Sequence, residues 1–295
     1  IKGAAVRDED AVKTLFVASS TDHLLLFTNQ GKVHWLKVHH TPKTSRYSKG
    51  KALVNLIKLG EGEQVTTLFP VKHFSEDKYL CMATQQGIIK RVSLAAFQRP
   101  RQGGIQAISL QEKDHLVSVK VTQGHETLLI ATRKGRASKF KEEDIRPMGR
   151  TAGGVRGIKL EADDAVIDME SIHTGDTILT VTQHGYGKRT KEDEYRLIKR
   201  GGKGVTNILS TERNGDVVAV KSVQDQESVL FITQQGQMMR VSVNNLSTIG
   251  RATMGFRLMT LREGDAVKSV ATVSVDDHLP KIEEAKQKVK EILKA

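Results

Sequence analysis

One cysteine, Cys81, stands in 295 residues, so no internal disulfide can form. It lies in the run Tyr79-Leu-Cys-Met-Ala-Thr84 and reads as a buried strand residue, because a free thiol packs like a small apolar group. Such cysteine usage fits a reducing compartment, and the expectation is a cytoplasmic protein. Aromatic side chains are scarce: one Trp, four Tyr and eight Phe. That is too little ring surface for a single-strand binder that works by base stacking. No apolar run approaches the roughly 18 residues of a membrane span, and no signal-peptide pattern opens the chain. Ten histidines, His39-His40 among them, include no pair with ligand spacing on a plausible scaffold, so neither a metal site nor a cofactor is expected. Acidic residues are also in deficit, 34 against 46 Lys and Arg, for a net charge of +12. A balance of that sign points to nucleic acid or another anionic surface as partner.

What the chain does have is a repeat of about 50 residues. Thr-x-x-Gly occurs five times, ending at Gly31, Gly87, Gly135, Gly185 and Gly236. A second glycine follows at Gly50, Gly104, Gly154, Gly204 and Gly255, after gaps of 19, 17, 19, 19 and 19. An acidic residue with apolar residues two and five places later begins at Asp10, Glu63, Asp114, Asp164 and Asp265. Gly215 takes the acidic place in a variant copy, and the spacings run 53, 51, 50, 51 and 50. A period of this size marks supersecondary units that must stack on their neighbours to bury an apolar face.

The third unit shows the plan. Thr127 to Thr132 is a short β-rich run, Arg133-Lys134-Gly135 turns it, and Arg136 to Phe140 returns. A strand Val155 to Leu160 follows Gly153-Gly154, then an acidic turn, then Val166 to Met169. About four short strands per repeat, separated by Gly and acidic turns, predict an all-β propeller-like ring of four-stranded blades. Six acidic-turn copies predict six blades over residues 1–275, and the run Val12 to Val17 has no hairpin of its own before it. Residues 276–295 read as a short C-terminal amphipathic helix or tail. Asp276-Asp277 can cap it, Pro280 suits its first turn, and Ile282, Ala285, Val289, Ile292 and Leu293 make one stripe. The chain opens on Ile1 rather than Met, inside a repeat already under way, so a segment of a longer protein is expected.

The loops before each second glycine carry the chemistry. They read Thr44-Ser-Arg-Tyr-Ser-Lys-Gly50, Gln98-Arg-Pro-Arg-Gln-Gly-Gly104, Met148-Gly-Arg-Thr-Ala-Gly-Gly154, Ile198-Lys-Arg-Gly-Gly-Lys-Gly204 and Ile249-Gly-Arg-Ala-Thr-Met-Gly255. Glycine lets a backbone approach a phosphate and offer its N–H, while Arg or Lys supplies charge. Any one such loop, taken alone, reads better as a solvated turn. Five at the same place in every blade form a track. The candidate DNA-binding residues are Lys199, Arg200, Gly201, Gly202, Lys203 and Gly204, with Arg46, Lys49, Lys51, Arg99, Arg101, Arg150, Arg156, Arg251 and Arg257. The ligand expected is duplex DNA held by its backbone. Gly185-Tyr-Gly-Lys-Arg-Thr190 lacks the spacing of a nucleotide-binding loop and sits in a hairpin. Tyr47, Tyr79, Tyr186 and Tyr195 have no acid-rich helical context for a cleaving nucleophile, and Asp163-Asp164 reads as a turn. Trp35 reads as a strand residue packed between blades.

In these motifs the sequence resembles the C-terminal DNA-wrapping domain of the bacterial DNA gyrase A subunit, in the type IIA topoisomerase family. That family's signature box reads Gln-Arg-Arg-Gly-Gly-Lys-Gly, and Ile198 to Gly204 matches it at Arg200, Gly201, Gly202, Lys203 and Gly204. Gly185 to Thr190, Glu194-Tyr-Arg196, Thr211 to Gly215 and Met148 to Leu160 look like the same family, which covers about residues 1–275. In the family the defining box opens the first blade, before a segment matching Ile1 to Val6, a position upstream of residue 1. The resemblance implies a six-bladed β-pinwheel whose blades exchange strands. It also implies that duplex DNA bends around the rim to give the chiral wrap of negative supercoiling. By the same resemblance the domain is non-catalytic and, taken alone, a monomer. Its parent enzyme would be an ATP-dependent type II topoisomerase, and its partners would be the gyrase B subunit plus a second A subunit. Two alternatives stand beside it: the corresponding domain of topoisomerase IV, and a protein-interaction propeller whose basic rim meets an acidic partner. A propeller enzyme would need convergent carboxylates that the sequence does not show.

Overall fold

The structure is a computed structural model and describes residues 18–43 and 51–273. Each repeat places two strands back to back through its Thr-x-x-Gly turn. The threonine closes the turn: Ile88, Arg136 and Gln237 donate their N–H to Thr84, Thr132 and Thr233 Oγ1 at 3.2, 3.1 and 3.0 Å. The glycine sits at positive φ, as at Gly135 (+83°), where an L side chain would strain the backbone. The hairpins are His23–Thr28 with Lys32–Lys37, Tyr79–Thr84 with Ile88–Ser93, and Thr127–Thr132 with Arg136–Lys141. Thr177–Thr182 with Tyr186–Lys191 and Ser228–Thr233 with Met238–Ser242 complete the set.

Each hairpin gains an inner strand from the marked run that follows, acidic in four copies and Gly215 in the other: Val65–Val71, Leu116–Thr122, Val166–Ile172, Val217–Val223 and Val267–Val273. The acid ties the two together. Asp164 Oδ1 accepts from Lys134 N in the hairpin turn (2.9 Å) and from Ala165 N (2.8 Å), and Asp114 and Asp265 do the same. One residue past the acid-marked apolar position every inner strand carries a bulge.

The outermost strand is borrowed. Ile105–Gln106, Val155–Arg156, Val205–Thr206 and Phe256–Arg257 each pair with the hairpin of the preceding repeat, so blades one to four are four-stranded and antiparallel. Only the first two residues of the expected strand Val155 to Leu160 are ladder. Gly157 and Ile158 then turn both N–H groups onto the Gly87 carbonyl (2.8 and 3.3 Å), which ends the pairing. The same two-to-one clamp recurs on the Gly31, Gly135 and Gly185 carbonyls.

Four apolar clusters lie between successive blades, with Phe27, Leu80 and Phe97 in the first and Phe231 and Val243 in the last. Trp35 packs on the first cluster and donates Nε1–H to the Phe97 carbonyl at 3.0 Å. Cys81 is fully buried. The five inner strands converge on a central cavity of about 650 Å³. Across it Lys120 Nζ reaches Glu170 (2.6 Å), and Lys221 Nζ reaches Asp168 (2.6 Å) and Glu170 (2.9 Å), joining blades two, three and four.

The architecture is all-β and propeller-like, but the described residues form five blades rather than six. A blade needs a hairpin, and the sequence holds five Thr-x-x-Gly turns against six repeat marks, five acidic and one at Gly215. The run Val12 to Val17, expected from its mark to be an inner strand, lies outside the described residues, as do the C-terminal helix expected over 276–295 and the end of the 1–275 span. The fifth blade has three strands among the described residues.

Candidate nucleic-acid interface

The second glycine of each described loop has a structural task. A Cβ on Gly154 would lie 2.7 Å from the Ile89 carbonyl, and one on Gly255 would lie 2.5 Å from the Gly187 carbonyl. Gly104 and Gly204 approach Val33 and Ala137 in the same way, at positive φ. These glycines let the borrowed strand lie against its neighbour, so their spacing records strand exchange. The four described loops are thereby fixed at the outer edge of the blade before them.

A buried lysine holds two of the loops. Lys90 Nζ donates to the Ala107 carbonyl (2.8 Å) and to that of Arg150, and Lys188 Nζ donates to the carbonyls of Gly250 (2.6 Å) and Arg251. Both side chains are fully buried. Loss of water pulls each down to about 8; Arg150 adds to the effect at Lys90, while at Lys188 Glu194 opposes it and Arg251 adds to it. In the first blade the equivalent position is His34, paired with Glu63 at 2.9 Å, and in the third it is Ser138.

The candidate residues divide by what holds them. Arg99, Arg101, Arg156, Lys199, Lys203 and Arg257 are exposed on or beside the loops, and Lys51 is exposed at the start of its segment. Gly202 is exposed with open space where a side chain would stand. Arg200 is half-buried and held on neighbouring backbone: its Nε donates to the Asp144 carbonyl at 2.9 Å and its Nη1 to the Arg156 carbonyl at 3.1 Å. Gly201 gives its N–H to the Gly157 carbonyl at 2.7 Å, and Gly204 packs on Ala137. Arg251 is also half-buried, donating to the Thr206 carbonyl at 2.7 Å beside the Tyr195 ring. Arg150 is half-buried, and Arg46 and Lys49 lie outside the described residues. So the segment 198–204 offers Lys199, Gly202 and Lys203 to a ligand, while Arg200, Gly201 and Gly204 brace the corner.

Sequence reasoning missed the lysine clamps and a second set of cations at the hairpin turns. Arg136 donates to the carbonyls of Lys203 (3.4 Å) and Gly204 (3.1 Å), and Arg213 lies over Tyr186. A signal for the clamps was present. Lys90-Arg91 and Lys188-Arg189 both fall three and four residues after the turn glycine.

Strand-exchanging blades with a glycine-rich loop at successive outer corners, and exposed Arg and Lys on or beside these loops, define a β-propeller. The chain belongs to the family described as DNA gyrase C-terminal domain, beta-propeller, which it matches over residues 22–72, 78–123, 126–173, 176–224 and 227–274. It is 48% identical over 277 residues to the DNA gyrase A subunit of Halalkalibacterium halodurans, covering 94% of this chain and 33% of that protein. Among solved structures it is similar to the C-terminal domain of DNA topoisomerase IV (TM-score 0.84, 25% identity, 97% of this chain and 90% of that one). It also shares its fold with the DNA gyrase A C-terminal domain (TM-score 0.76, 24% identity, 92% of each chain). The chain spans about a third of the length of the curated relatives it matches. Among the described residues no helix is long and apolar enough to cross a membrane.

Proposed function

We propose that this domain binds duplex DNA along the outer edges of its blades and bends it, supplying the chiral wrap used for negative supercoiling by a DNA gyrase. One observation carries the reading: the borrowed strands place a loop at the same outer corner of successive blades, and exposed cations stand on or beside those loops. Arg99, Arg101, Arg156, Lys199, Lys203 and Arg257 belong to this set, and none of them forms an ion pair among the described residues. Cations so placed follow a phosphate backbone and read little sequence.

The energetics favour a collective mechanism. Bending roughly 40 bp through about half a turn costs on the order of 11 kcal/mol for a rod with a persistence length of about 150 bp. Two phosphate contacts per blade, at about 1 kcal/mol each, return about 10 kcal/mol over five blades. Wrapping therefore sits near balance, and a duplex touching one blade gains too little to curve. In this reading the domain is non-catalytic and cytoplasmic and uses no cofactor. Its parent is an ATP-dependent type II topoisomerase working with the gyrase B subunit plus a second A subunit. The 48% identity to a gyrase A subunit supports gyrase over topoisomerase IV. The test is duplex affinity against ionic strength. A log–log slope near −9 is expected from roughly 10 contacts, and a slope near zero would refute the reading.

A further inference from the structure

Tyr186 opens the return strand of the fourth hairpin, directly after the turn glycine. The residue is only 8% exposed, and two guanidiniums lie over its ring, with their central carbons 5.4 Å (Arg213) and 5.6 Å (Arg257) from the ring centroid. Both also donate to the one phenolic oxygen, Arg257 Nη2 at 3.2 Å and Arg213 Nε at 3.4 Å. The two arginines reach it from different places, Arg257 from the borrowed outer strand and Arg213 from the turn before the inner strand. Both are exposed, and among the described residues neither forms an ion pair with a carboxylate. Two like charges brought together without a counter-ion are costly unless something negative joins them. The ring quadrupole and the phenol oxygen supply only part of that.

We propose that Arg213, Arg257 and Tyr186 form a binding site for a backbone phosphate of duplex DNA, with the tyrosine as a platform that holds both guanidiniums ready. This rests on the DNA-binding reading above and adds to it a built site in the fourth blade. Paired guanidiniums match the geometry of a phosphate, and fixing them in advance lowers the entropy lost when it arrives. The site belongs to this blade alone: at the position of Tyr186 the other hairpins carry Lys32, Ile88, Arg136 and Gln237. A phosphodiester fits better than a free nucleotide, because Arg257 lies two residues past the loop 249–255 and continues the line of outer-edge cations.

The test measures duplex affinity of the full 295-residue chain across ionic strength, with thermal unfolding recorded for every variant. Arg213→Gln with Arg257→Gln is expected to weaken binding about tenfold and to lower the salt slope by about 1, the value for one phosphate. Tyr186→Ala keeps both charges; it should still weaken binding three- to tenfold, and Tyr186→Phe should lose less. Lys72→Gln with Lys78→Gln removes the same charge at the opposite end of the strands and should change affinity less than twofold. If Tyr186→Ala binds like the parent, or the arginine pair behaves like the Lys72/Lys78 pair, the site is not a DNA contact and the inference falls. If the parent chain itself shows no salt-dependent duplex binding, the underlying DNA-binding reading fails instead.

Discussion

Lys188 shows how one residue couples stability to the shape of the rim. Its ammonium is buried on two loop carbonyls, and desolvation brings it to about 8, against an ordinary 10.5. Below pH 8 both folded and unfolded chains carry the proton, so the burial cost is constant. Between about pH 8 and 10.5 the folded chain releases it first and the unfolded state binds more protons, so stability rises with pH. The rise amounts to at most roughly 3 kcal/mol per lysine. Lys188→Met should abolish that part of the rise, as should Lys90→Met for the second blade, measured as denaturant midpoints from pH 7 to 10.5. Equal pH slopes for parent and variant would contradict the account. The glycines make a second comparison. Gly154→Ala meets a backbone carbonyl at positive φ and should cost more than about 2 kcal/mol. Gly202→Ala enters open space and should cost less than about 0.5 kcal/mol. Thermal unfolding of the two separates a packing role from a surface one.

Among the elements, the inner strands are held by charge as well as by apolar clusters. Lys221 keeps its proton despite its burial, because Asp168 and then Glu170 outweigh the desolvation that would remove it. Lys221→Met would leave those carboxylates facing each other with Lys120 alone to balance them. A loss of about 3 kcal/mol is expected in equilibrium unfolding, reduced when Asp168→Asn is added. At this scale the sequence was most legible. Thr-x-x-Gly gave the hairpins, and the acidic mark gave the inner strands, because each is a local turn with its own hydrogen bonds. The outer strands were legible only as spacing. Their pairing runs to the preceding repeat some 70 residues away, and two residues of ladder leave no periodicity to read. The count of six exceeds the five described blades because it counts the marks and not the five Thr-x-x-Gly hairpins, and the first mark, Asp10, lies outside the described residues.

For the whole molecule, the loops were visible in the sequence and their division of labour was not. Arg200 and Arg99 look alike as letters. One is tied to the carbonyls of Asp144 and Arg156, while the other stands exposed. The difference depends on where the preceding repeat places its backbone. The same division predicts different losses. Arg200→Gln should lower stability by about 1–2 kcal/mol through its two carbonyl bonds. Neutralising Arg99 and Arg101 should leave thermal unfolding unchanged and reduce the salt slope of duplex binding by about 2.

The central claim is that exposed cations, fixed at successive outer corners by strand exchange, make a stiff polyanion gain more by curving than by lying straight. The direct measurement is the linking number of nicked circles religated in the presence of the domain. The parent chain should shift the topoisomer distribution with one handedness, in proportion to bound protein. A variant carrying Arg99→Gln, Arg101→Gln, Lys199→Gln and Lys203→Gln should bind weakly and leave the distribution centred. Tight binding by the parent with no shift in linking number would contradict the account.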